Sequence, residues 1–216
     1  MAAQSTAPPR PALESGDHLT RDEFHRRYCQ RPDIVRAELI GGIAYVSSPV
    51  RTPQHGEPHS ILVGWAVAYR LLHPGVRTSD NGTFRPRDVD AEVQPDISLW
   101  LEREGLTRLD GDGYLELAPD LIVEVAASSA SYDLHEKKDL YERIGVPEYL
   151  VWLVDDDQIL WYRHQGGRYL PAEASDTGMI ESLVLPGLRL NVRKLLAGDT
   201  SSILPDLAAR AGQETA

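Results

Sequence analysis

The sequence predicts an α/β domain, and three observations carry that reading. Leu121 to Ala126 is a short apolar run rich in β-branched residues, as expected of a strand buried on both faces. Helical periodicity runs from about Glu57 to Leu72, and again where Asp133, Lys137 and Tyr141 fall at i, i+4 and i+8 on one face. Two strand-like runs flank Gly41-Gly42, a suitable pair for a tight hairpin turn.

Bulk properties narrow the function classes. The 216 residues are enough for one domain with a full core. A net charge of −11 favours solubility and argues against a broad, sequence-blind nucleic-acid surface, while leaving room for a local basic groove. The single cysteine, Cys29, excludes an intrachain disulfide framework and a multi-cysteine zinc site. That usage fits a reducing cytoplasm. The N-terminus lacks the apolar core of a signal peptide, and no apolar run is long enough to span a bilayer. The expectation is a cytoplasmic protein without a membrane anchor.

In chain order, residues 1–17 are rich in Ala, Pro and Ser and predict a disordered leader. Thr20 and Glu23 match a capping box opening a short helix through about Tyr28. Val35 to Ile40 and Ile43 to Val46 form the hairpin, with Glu38 in its first strand. In the helix over Glu57 to Leu72, Ile61, Leu62, Trp65, Ala68, Tyr69 and Leu72 make the apolar stripe, and His59 lies in the first turn. Val76 to Pro86 predicts a strand and a turn at Asn81-Gly82. Val93 to Trp100 alternates, so Asp96 shares a face with Gln94 and Ser98, and Pro95 sets an edge or a strand start nearby. Glu102 to Pro119 reads as a charged connection with room for a short helix. After the central strand and helix come strands over Glu148 to Val154 and Gln158 to Tyr162, with a solvated turn at Asp155 to Asp157. Gly166-Gly167 predicts a further hairpin. Leu183 to Leu196 closes a domain spanning 18–197, and 198–216 reads as a tail. There is no internal repeat, no phosphate-binding glycine loop and no dinucleotide fingerprint.

The chemistry rests on Asp96, Glu124 and Lys137. Glu124 interrupts an apolar strand, and burying an ionised carboxylate is costly unless a cation or donor meets it. Two carboxylates on separate strands suit a hard cation such as Mg²⁺, with water or phosphate oxygens completing the shell. Metal-assisted phosphodiester hydrolysis adds a cation that orients or activates water. Lys137 can supply it: Glu124 lies about 7 Å of strand rise before the connection, and Lys137 about 9 Å into the helix after it. A helix folding back over its strand brings them to similar height, with Asp133 and Tyr141 flanking the lysine. The plainer alternative is an amphipathic helix carrying an Asp–Lys surface pair.

A resemblance adds to this reading. Gln94-Pro95-Asp96, Ala118-Pro119-Asp120-Leu121-Ile122-Val123-Glu124-Val125, Asp133…Lys137…Tyr141 and Gly145-Val146-Pro147-Glu148-Tyr149 together resemble the large bacterial family named "putative restriction endonuclease", within the PD-(D/E)XK nuclease superfamily. Glu38-Leu39-Ile40-Gly41-Gly42 resembles its N-terminal hairpin motif and Pro186-Gly187-Leu188 its C-terminal one. The match covers roughly Leu19 to Leu196. It implies a restriction-endonuclease-like mixed β-sheet flanked by helices, with an N-terminal β-hairpin. It also implies Asp96 and Glu124 as ligands of Mg²⁺ or Mn²⁺. The superfamily's strand lysine would stand at Ala126, and members resembling this chain use a helix lysine, here Lys137. Glu38, His59, Gln94, Asp133 and Tyr141 are further site candidates. The expected activity is metal-dependent endonucleolytic hydrolysis of DNA, with a second copy of the chain as a candidate partner. The rivals are a catalytically inactive nuclease fold serving as an interaction or regulatory module, and a hydrolase of another phosphorylated substrate.

Overall fold

A computed structural model describes residues 12–47, 51–104, 106, 108–127 and 130–211, with side chains as far as residue 208. Helix α1 (Arg21–Cys29) starts where the capping residue requires, with Thr20 Oγ1 accepting from the Glu23 amide at 3.3 Å. Strands β1 (Ala37–Ile40) and β2 (Ile43–Val46) form an antiparallel hairpin. Gly41 and Gly42 have φ of 58° and 77°, the left-handed pair that a two-residue turn of this hand needs. Leu39 exchanges backbone bonds with Glu92 at 2.7 and 2.9 Å, which ties the hairpin to the segment entering the main sheet.

A π-helical turn at Thr52–Gly56 leads into α2 (Glu57–Leu72). The main sheet uses β3 (Val76–Asp80), β4 (Ile97–Leu101), β5 (Leu121–Ala126), β6 (Glu148–Leu153), β7 (Gln158–Gln165) and β8 (Arg168–Pro171). These six lie side by side in chain order, and only β5 and β6 pair in parallel. A parallel pair needs a crossover. Here it is α3 (Ala130–Tyr132), a π-helical turn at Asp133–Lys137, and α4 (Lys138–Ile144). Gly145 ends the helix at φ 79°, and the amides of Gly145 and Val146 return to the Tyr141 carbonyl. Beyond the sheet, β9 (Met179–Glu181) pairs with β10 (Arg189–Asn191), followed by α5 (Val192–Leu196) and α6 (Ile203–Ala211).

Strand alternation divides the core in two. Leu121, Val123 and Val125 of β5 join Leu150, Trp152, Leu62, Trp65 and Tyr69 on the α2 side. Ile122 and Ala126 join Tyr149, Val151, Leu140 and Tyr141 on the α4 side. Glu124 shares the α4 side, at 2% exposure. Ile97 pairs with Val123, so Asp96, one step further, comes alongside Glu124. The chain is thus a mixed sheet flanked by helices with an N-terminal hairpin.

Three expectations change. Residues 13–17 dock on the hairpin: Leu13 is buried, Gly16 N donates to Ala44 O, and Ala44 N donates to Asp17 O, both at 2.8 Å. The exposed edge of β2 offers backbone partners, and such pairing needs few apolar side chains. Residues 1–11 lie outside the described residues. By contrast, the strand start expected near Pro95 is there: β4 begins at Ile97, and it lies between β3 and β5. Within Glu102–Pro119 the described residues form turns and isolated bridges. Asp110 Oδ1 captures the amides of Asp112 and Tyr114 at 2.9 Å, so side-chain bonding replaces a helix there. The C-terminal segment is docked too: Leu207 of α6 is fully buried against α2 and β10. Residues 212–216 lie outside the described residues.

Candidate active site

Glu124 sits mid-strand with its side chain turned toward the crossover helix, because the strand period puts it opposite Val123 and Val125. Its Oε1 accepts from Lys137 Nζ at 3.0 Å and from the Tyr141 hydroxyl at 2.9 Å. Lys137 Nζ also lies 3.1 Å from Glu38 Oε2 and 3.4 Å from Asp133 Oδ1. One ammonium therefore meets three carboxylates, each on a different element. Lys138 points elsewhere, with its Nζ 5.2 Å from the Tyr162 ring centre.

Asp96 is fixed by the end of the β4–β5 ladder. Its Oδ2 accepts from the Val125 amide at 2.8 Å, and its own amide points to Glu124 Oε2 at 3.4 Å. Its Oδ1 accepts from Arg36 Nη1 at 2.8 Å. His55, in the π-helical turn before α2, donates from Nδ1 to the Val125 carbonyl at 2.9 Å, since a carbonyl can only accept. That leaves His55 Nε2 3.9 Å from Asp96 Oδ1.

These charges perturb one another. Burial alone would raise Asp96, but Arg36, Lys137 and His55 outweigh it and hold its carboxyl below the ordinary value. Burial pushes Glu124 up to about 8, against the pull of Lys137 and with Asp96 adding repulsion. Burial works against the Lys137 ammonium, yet Glu124, Glu38 and Asp133 outweigh it and hold its pKa above the ordinary lysine value. Four carboxylates face two cations, Arg36 and Lys137, so full ionisation leaves an excess of two negative charges.

The cluster forms one wall of a cleft of about 530 Å³, which Arg51, Gln54, Tyr45 and Tyr132 also border. Of the sequence candidates, Asp96, Glu124, Lys137, Glu38, Asp133 and Tyr141 come together. Gln94 contributes its backbone: its amide donates to Glu38 Oε1 at 2.7 Å, while its side-chain amide turns to the Tyr28 hydroxyl. His59 stays at the margin, 3.1 Å from Asp80 Oδ1 and stacked on His55. Sequence reasoning missed Arg36 and His55. Arg36 had a usable signal, since it lies two residues before Glu38 and so shares its strand face. His55 had none beyond its residue type.

Asp96 and Glu124 themselves offer carboxylate oxygens, the ligands a hard divalent cation prefers. Among the described residues no group of three or more His, Cys, Asp or Glu is spaced to hold a metal. Two carboxylates with water completing the shell is the arrangement that fits. No helix among the described residues is long and apolar enough to cross a membrane.

Comparison with known proteins adds three findings. CDP-glucose 4,6-dehydratase of Salmonella typhimurium is 26% identical over 151 residues, 65% of this chain and 41% of that enzyme. The chain thus spans about two fifths of the length of that curated relative. Its activity is not carried over, because this chain has no glycine-rich dinucleotide loop and its main sheet has a single parallel pair. A solved structure from Anabaena variabilis ATCC 29413, described as "a putative nuclease", matches with a TM-score of 0.62 at 18% identity. The match covers 86% of this chain and 99% of that one, and at this identity it is a likeness of fold. A family model covers residues 21–193, which takes in the hairpin, the whole main sheet and every member of the carboxylate–lysine cluster. By that match the chain belongs to the Uma2 family, described as "Putative restriction endonuclease".

Proposed function

We propose that this protein is a divalent-metal-dependent endonuclease that hydrolyses phosphodiester bonds in DNA. The observation that carries the reading is the buried Lys137 ammonium, 3.0 Å from Glu124 on a strand shared with Asp96, at the wall of an open cleft. Asp96 and Glu124 would hold Mg²⁺ or Mn²⁺. Such an ion supplies a polarised phosphoryl oxygen and a more acidic bound water.

The remaining roles belong to the chain itself. Lys137 keeps its proton, so it acts as a fixed positive donor toward charge developing on phosphate rather than as a base. Tyr141 and Asp133 hold Glu124 and Lys137 in place. The His55 bond to the Val125 carbonyl ties the turn before α2 to the strand residue whose amide holds Asp96. Arg51 at the cleft gives an otherwise acidic protein a local positive contact for a phosphate backbone. One observation favours the second reading, a non-catalytic interaction module: Asp96 already has a protein cation as partner, with Arg36 Nη1 at 2.8 Å.

The test is cleavage of plasmid, duplex and single-stranded oligonucleotides with Mg²⁺ or Mn²⁺. Activity that needs the ion and disappears in Asp96→Asn supports the proposal. Wild-type inertness on every DNA and RNA substrate overturns it in favour of the interaction module. Light scattering would test the expected second copy of the chain.

A further inference from the structure

Arg36 occupies the place toward which Asp96, Glu38 and Glu124 converge. Its Nη1 donates to Asp96 Oδ1 at 2.8 Å. Its Nη2 lies 3.5 Å from Glu38 Oε1 and 3.9 Å from Glu124 Oε2, and also donates to the Gln94 carbonyl. A divalent ion on Asp96 and Glu124 would draw on the same two side chains. Mg²⁺ binds carboxylate oxygen at about 2.0–2.1 Å, so ion and guanidinium would be like charges a few ångströms apart. In a partly buried pocket, salt screens such a pair poorly.

The two cations of the cluster are not held alike. Lys137 is 3% exposed and meets three carboxylates. Arg36 is 20% exposed, borders the cleft, and has a buried Nε without a hydrogen-bond partner among the described residues. Both side chains border the cleft, and Arg36 is the more open of the two.

We propose that Arg36 is the resident counter-cation of this site. It offsets part of the negative charge of Asp96, Glu38 and Glu124, competes with the divalent ion, and thereby sets the metal affinity. The inference rests on the metal site proposed above. It gives Arg36 a role opposite to that of Lys137: removing Arg36 exposes the carboxylates to metal, while removing Lys137 leaves them without their buried partner.

The test is Mn²⁺ binding by electron paramagnetic resonance, on the full chain, for wild type, Arg36→Gln and Arg36→Lys. Arg36→Gln should bind Mn²⁺ at least about tenfold more tightly, the scale on which one neighbouring charge shifts an ionisation. Arg36→Lys should stay near wild type. In EDTA, Arg36→Gln should melt below wild type, and Mn²⁺ should raise its melting temperature by more. Unchanged or weaker Mn²⁺ binding by Arg36→Gln overturns the proposal, as does absence of Mn²⁺ binding in all three proteins. A measurement on wild type avoids any folding defect. The Arg36 Nε–H resonance should move as Mg²⁺ is titrated; a fixed resonance while the Asp96 and Glu124 amides move would sink the idea. Tighter Mn²⁺ binding with no cleavage of any nucleic acid would support the Arg36 assignment and remove the nuclease reading instead.

Discussion

The two faces of the main sheet use the same strands and the same alternation, yet hold opposite chemistry. On the α2 face, Val123 and Val125 meet Trp65, Tyr69, Leu150 and Trp161, with Trp65 and Trp161 edge-to-face at 6.1 Å. The two indole donors there are met: Trp65 Nε1 donates to Arg189 O at 2.8 Å, and Trp161 Nε1 to Glu148 Oε2 at 3.3 Å. On the α4 face, one residue along, Glu124 faces Lys137 and stands beside Asp96. The first face stabilises the fold through apolar burial. The second buries charge, and buried ion clusters are weak evidence of stability, because desolvation offsets much of their attraction. The contrast separates a face that holds the domain together from a face that the domain must hold in place.

Breaking the apolar face should have the largest effect. Trp161→Ala should cost about 3–5 kcal/mol in urea unfolding, the usual range for removing a large buried aromatic. Mn²⁺ binding by the folded fraction should be unchanged. A cost below 1 kcal/mol would mean that the α2 face does not carry the fold.

Breaking the charged face should act on chemistry instead. Lys137→Ala should lower DNA cleavage per folded molecule by at least about a hundredfold, the order expected for losing one electrostatic or acid–base group. Lys138→Ala should leave it nearly unchanged, since that side chain lies over Tyr162. Plasmid nicking assays normalised by circular dichroism would show it, and inactivity of Lys138→Ala alone would contradict the assignment.

The third effect is a pH dependence in EDTA. Glu124 is raised from about 4.5 to about 8 in the folded state, so the folded protein binds a proton the unfolded chain has released. The stabilising contribution of that proton is fully present below about 4.5 and lost as pH rises through about 8. The metal-free melting temperature should therefore fall between pH 6 and pH 8.5. Glu124→Gln should flatten that slope and leave metal-free stability unchanged or higher. The same slope in Glu124→Gln would assign the proton to another group.

The smallest effect belongs to neither face. Thr20→Ala should cost about 1 kcal/mol through loss of the α1 cap, with metal binding untouched. Chemical denaturation resolves a change of that size.

How much was legible follows from how far apart the interacting residues lie. The cap at Thr20, the glycine pair at Gly41-Gly42 and the helix over Glu57–Leu72 are local patterns, and each formed as read. The meeting of Glu124 and Lys137 was within reach because strand rise and helix rise can be compared across one connection. Arg36 and Asp96 are sixty positions apart and meet only because Leu39 pairs with Glu92, a contact no periodicity announces. The docking of residues 13–17 was hidden for a similar reason: backbone pairing to β2 leaves almost no mark on composition. His55 is held by a backbone carbonyl of β5, and no residue spacing encodes that partner.

One feature of the crossover helix bears on how much change in length such a site tolerates. The π-helical turn at Asp133–Lys137 is equivalent to one extra residue wound into an α-helix. The turn absorbs that residue locally, so the chain on either side keeps its register. Deleting one residue between Asp133 and Lys137 would restore ordinary winding and leave the two at i, i+3, still neighbours on one face. The path to β6 would shorten by about 1.5 Å. A change in chain length of one codon is thus absorbed inside the crossover, and relatives of either length can present the same carboxylates and lysine to the sheet.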